Sequence, residues 1–248
     1  MTKNKHNWLF LILLCFVSNI AAQVQEFNNF TYKSAKYDIV DFEVNEHFSK
    51  SFSIFTSNKN VTEKKLFDSL SKSSKFFACS AALVDTSCSF LGLYVNKGNI
   101  ITPINQNAGT GNFYLMPNGY VWVDTIAAGI TTSMNYDLNK KYTYAVQSGP
   151  LLIDNGTINT NFNISSTNRN IRLGVGTYNK QGVIHLVFII SKNPVTFYDI
   201  SSLFLDKFKC SYALSLDGGN QIAFHSPNST DIFSTKKFPC NYIVIKLK

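Results

Sequence analysis

Arginine is nearly absent from this 248-residue chain: Arg169 and Arg172 stand against a background of lysines. The lysines are scattered, with doublets only at Lys64-Lys65, Lys140-Lys141 and Lys236-Lys237, so no dedicated nucleic-acid surface is expected. No Pro/Ser/Gly-rich linker or composition break divides the chain, which argues for one large domain. The serine-hydrolase elbow, the P-loop and the dinucleotide fingerprint are missing, and no Asp/His cluster has metal-ligand spacing. Disorder is excluded as well, because 45% hydrophobic and 14% aromatic residues supply a proper core.

Residues 1–22 stand apart. Lys3 and Lys5 precede an apolar run, residues 8–17, that ends in Ala21-Ala22. This is a secretory signal pattern with cleavage after Ala22, so the protein is expected to be exported to the periplasm or the exterior. The run is short for a membrane span, and no other stretch could cross a bilayer. Cys15 follows Leu14 rather than a small residue, so it is not read as an acylation site. Losing Lys3 and Lys5 takes the formal charge from +8 to +6. A mild basic excess suits an anionic ligand such as a phosphate, and equally suits solubility alone. Four cysteines remain: Cys79, Cys88, Cys210 and Cys240. Three pairings are open to them; Cys79–Cys88 with Cys210–Cys240 is the expected one, with free buried thiols as the alternative.

Residues 23–36 are polar and read as a flexible lead-in to a domain over 37–248. Alternation over 36–44 predicts a half-buried strand, with 52–55 as its partner. Apolar spacing predicts helices over 62–74 and 197–208. Hairpins are expected around Lys97-Gly98, Pro117-Asn118-Gly119 and Asn155-Gly156, and a turn at 179–182. Residues 183–190 form the most continuous apolar run and read as a central strand. Strands do not alternate with helices, so the expected class is α+β: one strand-rich domain with a mixed sheet core and about two main helices.

A short strand over 212–216 stops at Asp217-Gly218-Gly219. This leaves a carboxylate at the end of a rigid element, beside backbone that can approach a ligand; an Asp-Gly turn is the plainer reading. His185 lies in an apolar strand and reads as a core histidine. His225, just after the Asp217 loop, is the better ligand candidate.

Five motifs occur in order: Gly111-Asn-Phe-Tyr-Leu115 with Pro117-Asn-Gly119, Gln147-Ser-Gly-Pro-Leu-Leu152, Ile171-Arg-Leu-Gly-Val-Gly176, Pro194-Val-Thr-Phe-Tyr198 and Ala213-Leu-Ser-Leu-Asp-Gly-Gly219. Together they resemble the phosphodiester glycosidase family, in an exported member of bacterial type. The resemblance implies hydrolysis of a sugar-1-phosphodiester. Phosphate is a good leaving group, so the reaction asks for a cation on the phosphate, a carboxylate at the anomeric centre and donors that fix the sugar. Arg172 is the expected phosphate ligand, since its planar fork binds two oxygens at once. Asp217 is the expected carboxylate, as base, nucleophile or metal ligand, calcium included. Gln147, Ser148, Gly149, Gly218, Gly219 and His225 are the expected substrate contacts. Two positions depart from the family pattern: Ser80-Ala81-Ala82 stands where Asn-Ala-Gly is usual, and Asn220-Gln221 where a Ser is usual. They motivate the alternative of a carbohydrate- or phosphate-binding protein without turnover.

Overall fold

Two-residue turns set much of the topology. Lys97 and Gly98, Asn155 and Gly156, and Gln181 and Gly182 all have positive φ, between 46° and 87°. That geometry joins neighbouring antiparallel strands through a tight hairpin. The computed structural model describes residues 23–57, 63–73, 75–216, 222–229, 232–234 and 239–247.

The chain opens with β1 (Val24–Tyr32), β2 (Ala35–Glu43), α1 (Glu46–Ser51) and β3 (Phe52–Thr56), followed by α2 (Glu63–Ser73) and β4 (Phe76–Ser80). Next come β5 (Tyr94–Asn96), β6 (Asn99–Thr102), β7 (Gly119–Val123), β8 (Ala128–Thr132) and β9 (Tyr144–Ser148). β10 (Leu151–Asp154), β11 (Thr157–Ile158), β12 (Leu173–Lys180) and β13 (Val183–Ser191) precede α3 (Phe197–Phe208). β14 (Tyr212–Ser215), β15 (Ala223–His225), β16 (Phe233–Ser234) and β17 (Asn241–Lys246) follow.

The strands form three sheets. A seven-stranded sheet runs β1-β2-β13-β12-β14-β10-β11, and two five-stranded sheets run β16-β15-β4-β17-β3 and β6-β5-β9-β7-β8. The domain is α+β and strand-rich, as its pattern of elements implied. Instead of a mixed sheet, the pairings among the described strands are antiparallel, because short hairpin turns cannot join parallel neighbours.

Alternation sorts the two faces of the large sheet. Val40, Phe42, Leu186, Phe188 and Leu214 face inward, in one core with Phe77, Ile243, Val121 and Val146 of the smaller sheets. Tyr37, Ile39, Val187 and Ile189 face outward and are covered by Ile200, Leu203 and Phe204 of α3. α3 starts at a capping box, in which Thr196 Oγ1 accepts the Asp199 N–H and Asp199 accepts the Thr196 N–H, both at 3.0 Å. It ends at Lys209, at φ 54°. A Cβ on Gly176 would sit 2.7 Å from Cys210 Sγ and from Phe204, so only glycine lets this helix lie so close on β12. α2 covers the second sheet with Phe67 and Leu70 against Phe76, Ala78, Tyr242 and Val244.

Four expectations are corrected. Residues 23–36 are not a loose lead-in: they form β1 and begin β2, paired from Val24↔Phe42 to Tyr32↔Ala35. β1 is an edge strand whose residues are mostly solvent-facing, so its composition looks like a linker. β3 pairs with β17 rather than with β2. Residues 112–114 form a 3-10 turn, and β7 pairs with β8 instead. Pro117 has no N–H to give to a ladder on that side. The disulfide is Cys88–Cys240, with Cα atoms 5.6 Å apart, while Cys79 and Cys210 are buried free thiols. β4 aims Cys79 into the core, and Cys210 lies against Gly176 under α3, so neither could reach a surface partner.

Candidate functional site

Arg172 is the best-defined element of the site. It sits just before β12, and its backbone is pinned to the end of β13. Its N–H donates to Ser191 Oγ at 2.9 Å, and its carbonyl accepts the Ser191 N–H at 2.9 Å. Asn170 and Val195 exchange both backbone hydrogen bonds, so the strand leading to α3 is tied to the strand carrying Arg172. The guanidinium lies 3.7 Å from the centroid of Phe197, which stacks on Phe162 at 5.1 Å. Nε donates to Val195 O at 3.4 Å and Nη2 to Asn168 O at 3.3 Å, both long bonds.

Arg172 is only 5% exposed. Among the described residues no carboxylate pairs with it; the nearby Asp199 pairs with Arg169 at 3.1 Å instead. Burial alone brings its pKa down to about 10. A buried cation without a counter-ion is costly unless an anion arrives to complete it. The pocket it faces measures about 210 Å³ and is lined by Asn112, Asn161, Phe162, Phe197 and Tyr198 among others. Its walls offer amides and aromatic faces, and Arg172 is the charged residue of the lining. Such a lining suits an anion attached to a polar, ring-shaped group.

Gln147 plays a different part from the one expected. Its Oε1 accepts the backbone N–H groups of Leu93 and Asn105, each at 2.9 Å. Its Nε2 donates to Asn105 O at 2.6 Å and Asn118 Oδ1 at 3.2 Å. A Cβ on Gly92 would fall 2.2 Å from Gln147 Oε1, so glycine there makes room for the amide. Asn118 extends the network to Phe113 O and to Ser133 Oγ. Gln147 thus joins four loops and has its amide occupied.

Ser148 is the opposite case. It is fully buried, and among the described residues its Oγ has no hydrogen-bond partner. Gly149 follows in close packing, since a Cβ would stand 2.9 Å from Phe113 O. That contact holds the end of β9 against residues 112–113, and Asn112 lines the Arg172 pocket. Farther along, the Pro150 carbonyl accepts the Ser215 N–H at 2.9 Å, and Leu173 O accepts the Leu216 N–H at 3.0 Å. The segments carrying Gly149, Leu216 and Arg172 therefore share one edge of the large sheet. Leu216 leads into residues 217–221. Asp217, Gly218 and Gly219 lie outside the described residues.

His225 does not line this pocket. Alternation along β15 turns Ala223 toward α2 and Phe224 into the core. His225 follows Ala223's face, stacks on Phe76 at 4.4 Å and meets Phe67 edge-on at 6.1 Å. His185 is a satisfied core histidine: its Nδ1 lies 3.2 Å from Asp41 Oδ1, and Asp41 also accepts the Tyr178 hydroxyl at 2.6 Å. Ser80 Oγ accepts the Ala223 N–H at 2.8 Å, while Asn241 clamps Ala82 through its N–H and carbonyl. Among the described residues no three His, Cys, Asp or Glu side chains gather as a metal site.

Comparison with known proteins fixes the family. The family model described as phosphodiester glycosidase matches residues 76–240. The chain belongs to the phosphodiester glycosidase family. Arg172, Gln147 and Ser148 all lie inside the matched region. The uncharacterized protein YigE of Escherichia coli (strain K12) is 35% identical over 141 residues, 57% of this chain and 54% of its own length, so the match spans about half of that relative. The zebrafish N-acetylglucosamine-1-phosphodiester alpha-N-acetylglucosaminidase catalytic domain, auto-inhibited by its pro-peptide, shares the fold. Its TM-score is 0.55 at 14% identity, over 92% of this chain and 89% of that one. A hypothetical protein from Synechocystis gives a TM-score of 0.50 at 13% identity, over 91% of this chain and 62% of that one.

Within this family frame, three features escaped the sequence reading. The segment 161–168 closes the pocket, Phe197 carries the guanidinium, and Asn118 anchors Gln147. The only advance signal was the nearness of Phe197 to Arg172 among the ordered motifs.

Proposed function

We propose that this chain is an exported hydrolase of a sugar-1-phosphodiester in a polysaccharide or glycan. The observation that carries the reading is Arg172: a buried guanidinium with no carboxylate partner among the described residues, facing a pocket of amides and aromatic rings in a phosphodiester glycosidase. In the reaction, water attacks the anomeric carbon. The bond from that carbon to the phosphate oxygen breaks, and its electron pair leaves on the phosphate monoester. Arg172 holds the phosphate oxygens and offsets the charge gathering on them. Asp217 takes the proton of the attacking water, or attacks first and is released by water in a second step. The products are a reducing sugar and a phosphate monoester.

Export is supported by the leader pattern of residues 1–22 and by the Cys88–Cys240 bond, which belongs to an oxidising compartment. A second reading, binding without turnover, is favoured by one observation. Ser80, standing where the family pattern has Asn, has its hydroxyl engaged by the backbone of Ala223.

The test is turnover of a panel of sugar-1-(methyl phosphates), read as reducing sugar released. Activity in the wild type that is lost in Asp217→Asn and in Arg172→Ala supports hydrolysis. Binding by calorimetry with no product at high enzyme concentration supports the second reading. Full activity in Arg172→Ala refutes the role given to the arginine.

A further inference from the structure

We propose a second carbohydrate site on the opposite face of the large sheet from Arg172, in a cleft that takes one neutral saccharide unit. The cleft opens at the rim between β1, β2 and β13 on one side and β15 and β16 on the other. It measures about 390 Å³, within the range of about 300–1,000 Å³ usual for small-molecule sites.

Its lining is chemically two-sided. On the polar side Lys192 Nζ pairs with Asp38 Oδ2 at 2.9 Å, and Asp38 Oδ1 accepts the Asn29 N–H at 2.9 Å. The carboxylate is thus held in one orientation, with lone pairs left over on both oxygens, and Lys192 keeps two donors beyond its bond to Asp38. Asn28 and Ser226 add an amide and a hydroxyl. Across from them is the Phe233 ring, 5.0 Å from Lys192 Nζ, with the buried Phe224 as the floor. A pyranose presents this same division, with hydroxyls that both donate and accept and a C–H face that covers an aromatic ring. Asp38 and Lys192 cancel, so a phosphate gains little here, in contrast to Arg172, which has no carboxylate partner among the described residues.

Strand alternation makes the two sites separate. Asp38 shares the inward face of β2 with Val40 and Phe42, whereas Arg172 packs on Phe197 at the start of α3, on the outward face. The end of β13 serves both: Ser191 fixes the Arg172 backbone, and Lys192, the next residue, turns to the cleft. The cleft would hold a glycan away from the bond being cut. Only the choice of saccharide over another neutral polyol rests on the glycosidase reading.

Calorimetric titration of the chain, expressed in full and purified, with chitotetraose, maltotetraose and mannotetraose tests this. One of them is expected to bind the wild type and Arg172→Ala alike, and to bind Asp38→Asn and Phe233→Ala at least 10-fold more weakly. Lys192→Gln, at a partly exposed side chain, replaces Phe233→Ala if that variant melts early. The proposal falls if none binds the wild type at millimolar concentration, if Asp38→Asn and the second variant bind as tightly as the wild type, or if Arg172→Ala abolishes binding. Turnover without oligosaccharide binding would remove the cleft and leave the hydrolase reading standing. Binding without turnover would do the reverse.

Discussion

Replacing Arg172 with methionine should make the protein more stable and destroy its activity. Methionine keeps the apolar stem but removes the charged guanidinium. Burial lowers the guanidinium pKa from 12.5 to about 10, which corresponds to about 3 kcal/mol of disfavour for the charged form. The substitution lifts that cost. It also removes the contact with Phe197, worth about 1 kcal/mol, and two hydrogen bonds of 3.3 and 3.4 Å, each worth about 0.5 kcal/mol at such lengths. Val195 O keeps a partner, because the Asn170 N–H also donates to it at 3.0 Å. The balance is about 1 kcal/mol in favour of the variant, a rise in Tm of about 2–4 °C. The substrate side runs the other way. Two charge-assisted bonds to phosphate, at about 1.5–2 kcal/mol each, lower kcat/KM by about 100- to 1,000-fold when lost. Scanning calorimetry and initial rates on a sugar-1-(methyl phosphate) read both effects, and added inorganic phosphate should stabilise only the wild type. A variant less stable by about 2 kcal/mol or more with kcat/KM intact would show that Arg172 is structural.

Three further predictions concern other buried groups. Ser148→Ala removes a buried hydroxyl that has no partner among the described residues, so stability in urea unfolding should hold or rise by up to about 1 kcal/mol; a loss of about 1 kcal/mol or more would show that the hydroxyl is bonded. Cys88→Ser and Cys240→Ser should each cost about 2–5 kcal/mol in urea unfolding, with the double variant no worse than either single one, and thiol titration of the leader-free chain in denaturant should count two thiols, Cys79 and Cys210. Asp41 is raised from its ordinary pKa, chiefly by burial and against the pull of Tyr178 and His185. A carboxyl with a raised native pKa contributes most when protonated, so this contribution is lost as pH climbs through that raised value. The stability of the wild type relative to Asp41→Asn should therefore fall as pH rises above the ordinary carboxyl range in urea titrations; a rise there would refute the assignment.

What the sequence revealed follows from which forces are local. Helices over 63–73 and 197–208 were legible because apolar spacing of three and four residues is written within one stretch. The hairpin turns were legible for the same reason, since φ > 0 selects Gly and Asn on the spot. β1 was not, because an edge strand needs little apolar content when its ladder partner supplies the hydrogen bonds. The disulfide was not, because Cys88 and Cys240 are 152 residues apart and meet only after β4 and β17 have paired.

The site divides along the same line. The scarcity of arginine and the Gly-x-Gly that follows it marked Arg172 as unusual from the sequence, but that no carboxylate among the described residues pairs with it is a property of what packs around it. Gln147 and Ser148 are neighbours in one motif, and sequence alone gave them one role. The strand separates them by turning successive side chains to opposite faces. One amide points to Leu93, Asn105 and Asn118 and is consumed in holding loops together. The next hydroxyl is buried and has no partner among the described residues. A motif shared within a family therefore mixes residues that build the site with residues that act in it. Counting partners separates roles: a side chain whose donors and acceptors are used by its own protein braces the fold, and a buried charge that faces a pocket with no carboxylate partner among the described residues, as Arg172 does, is where a ligand has work to do.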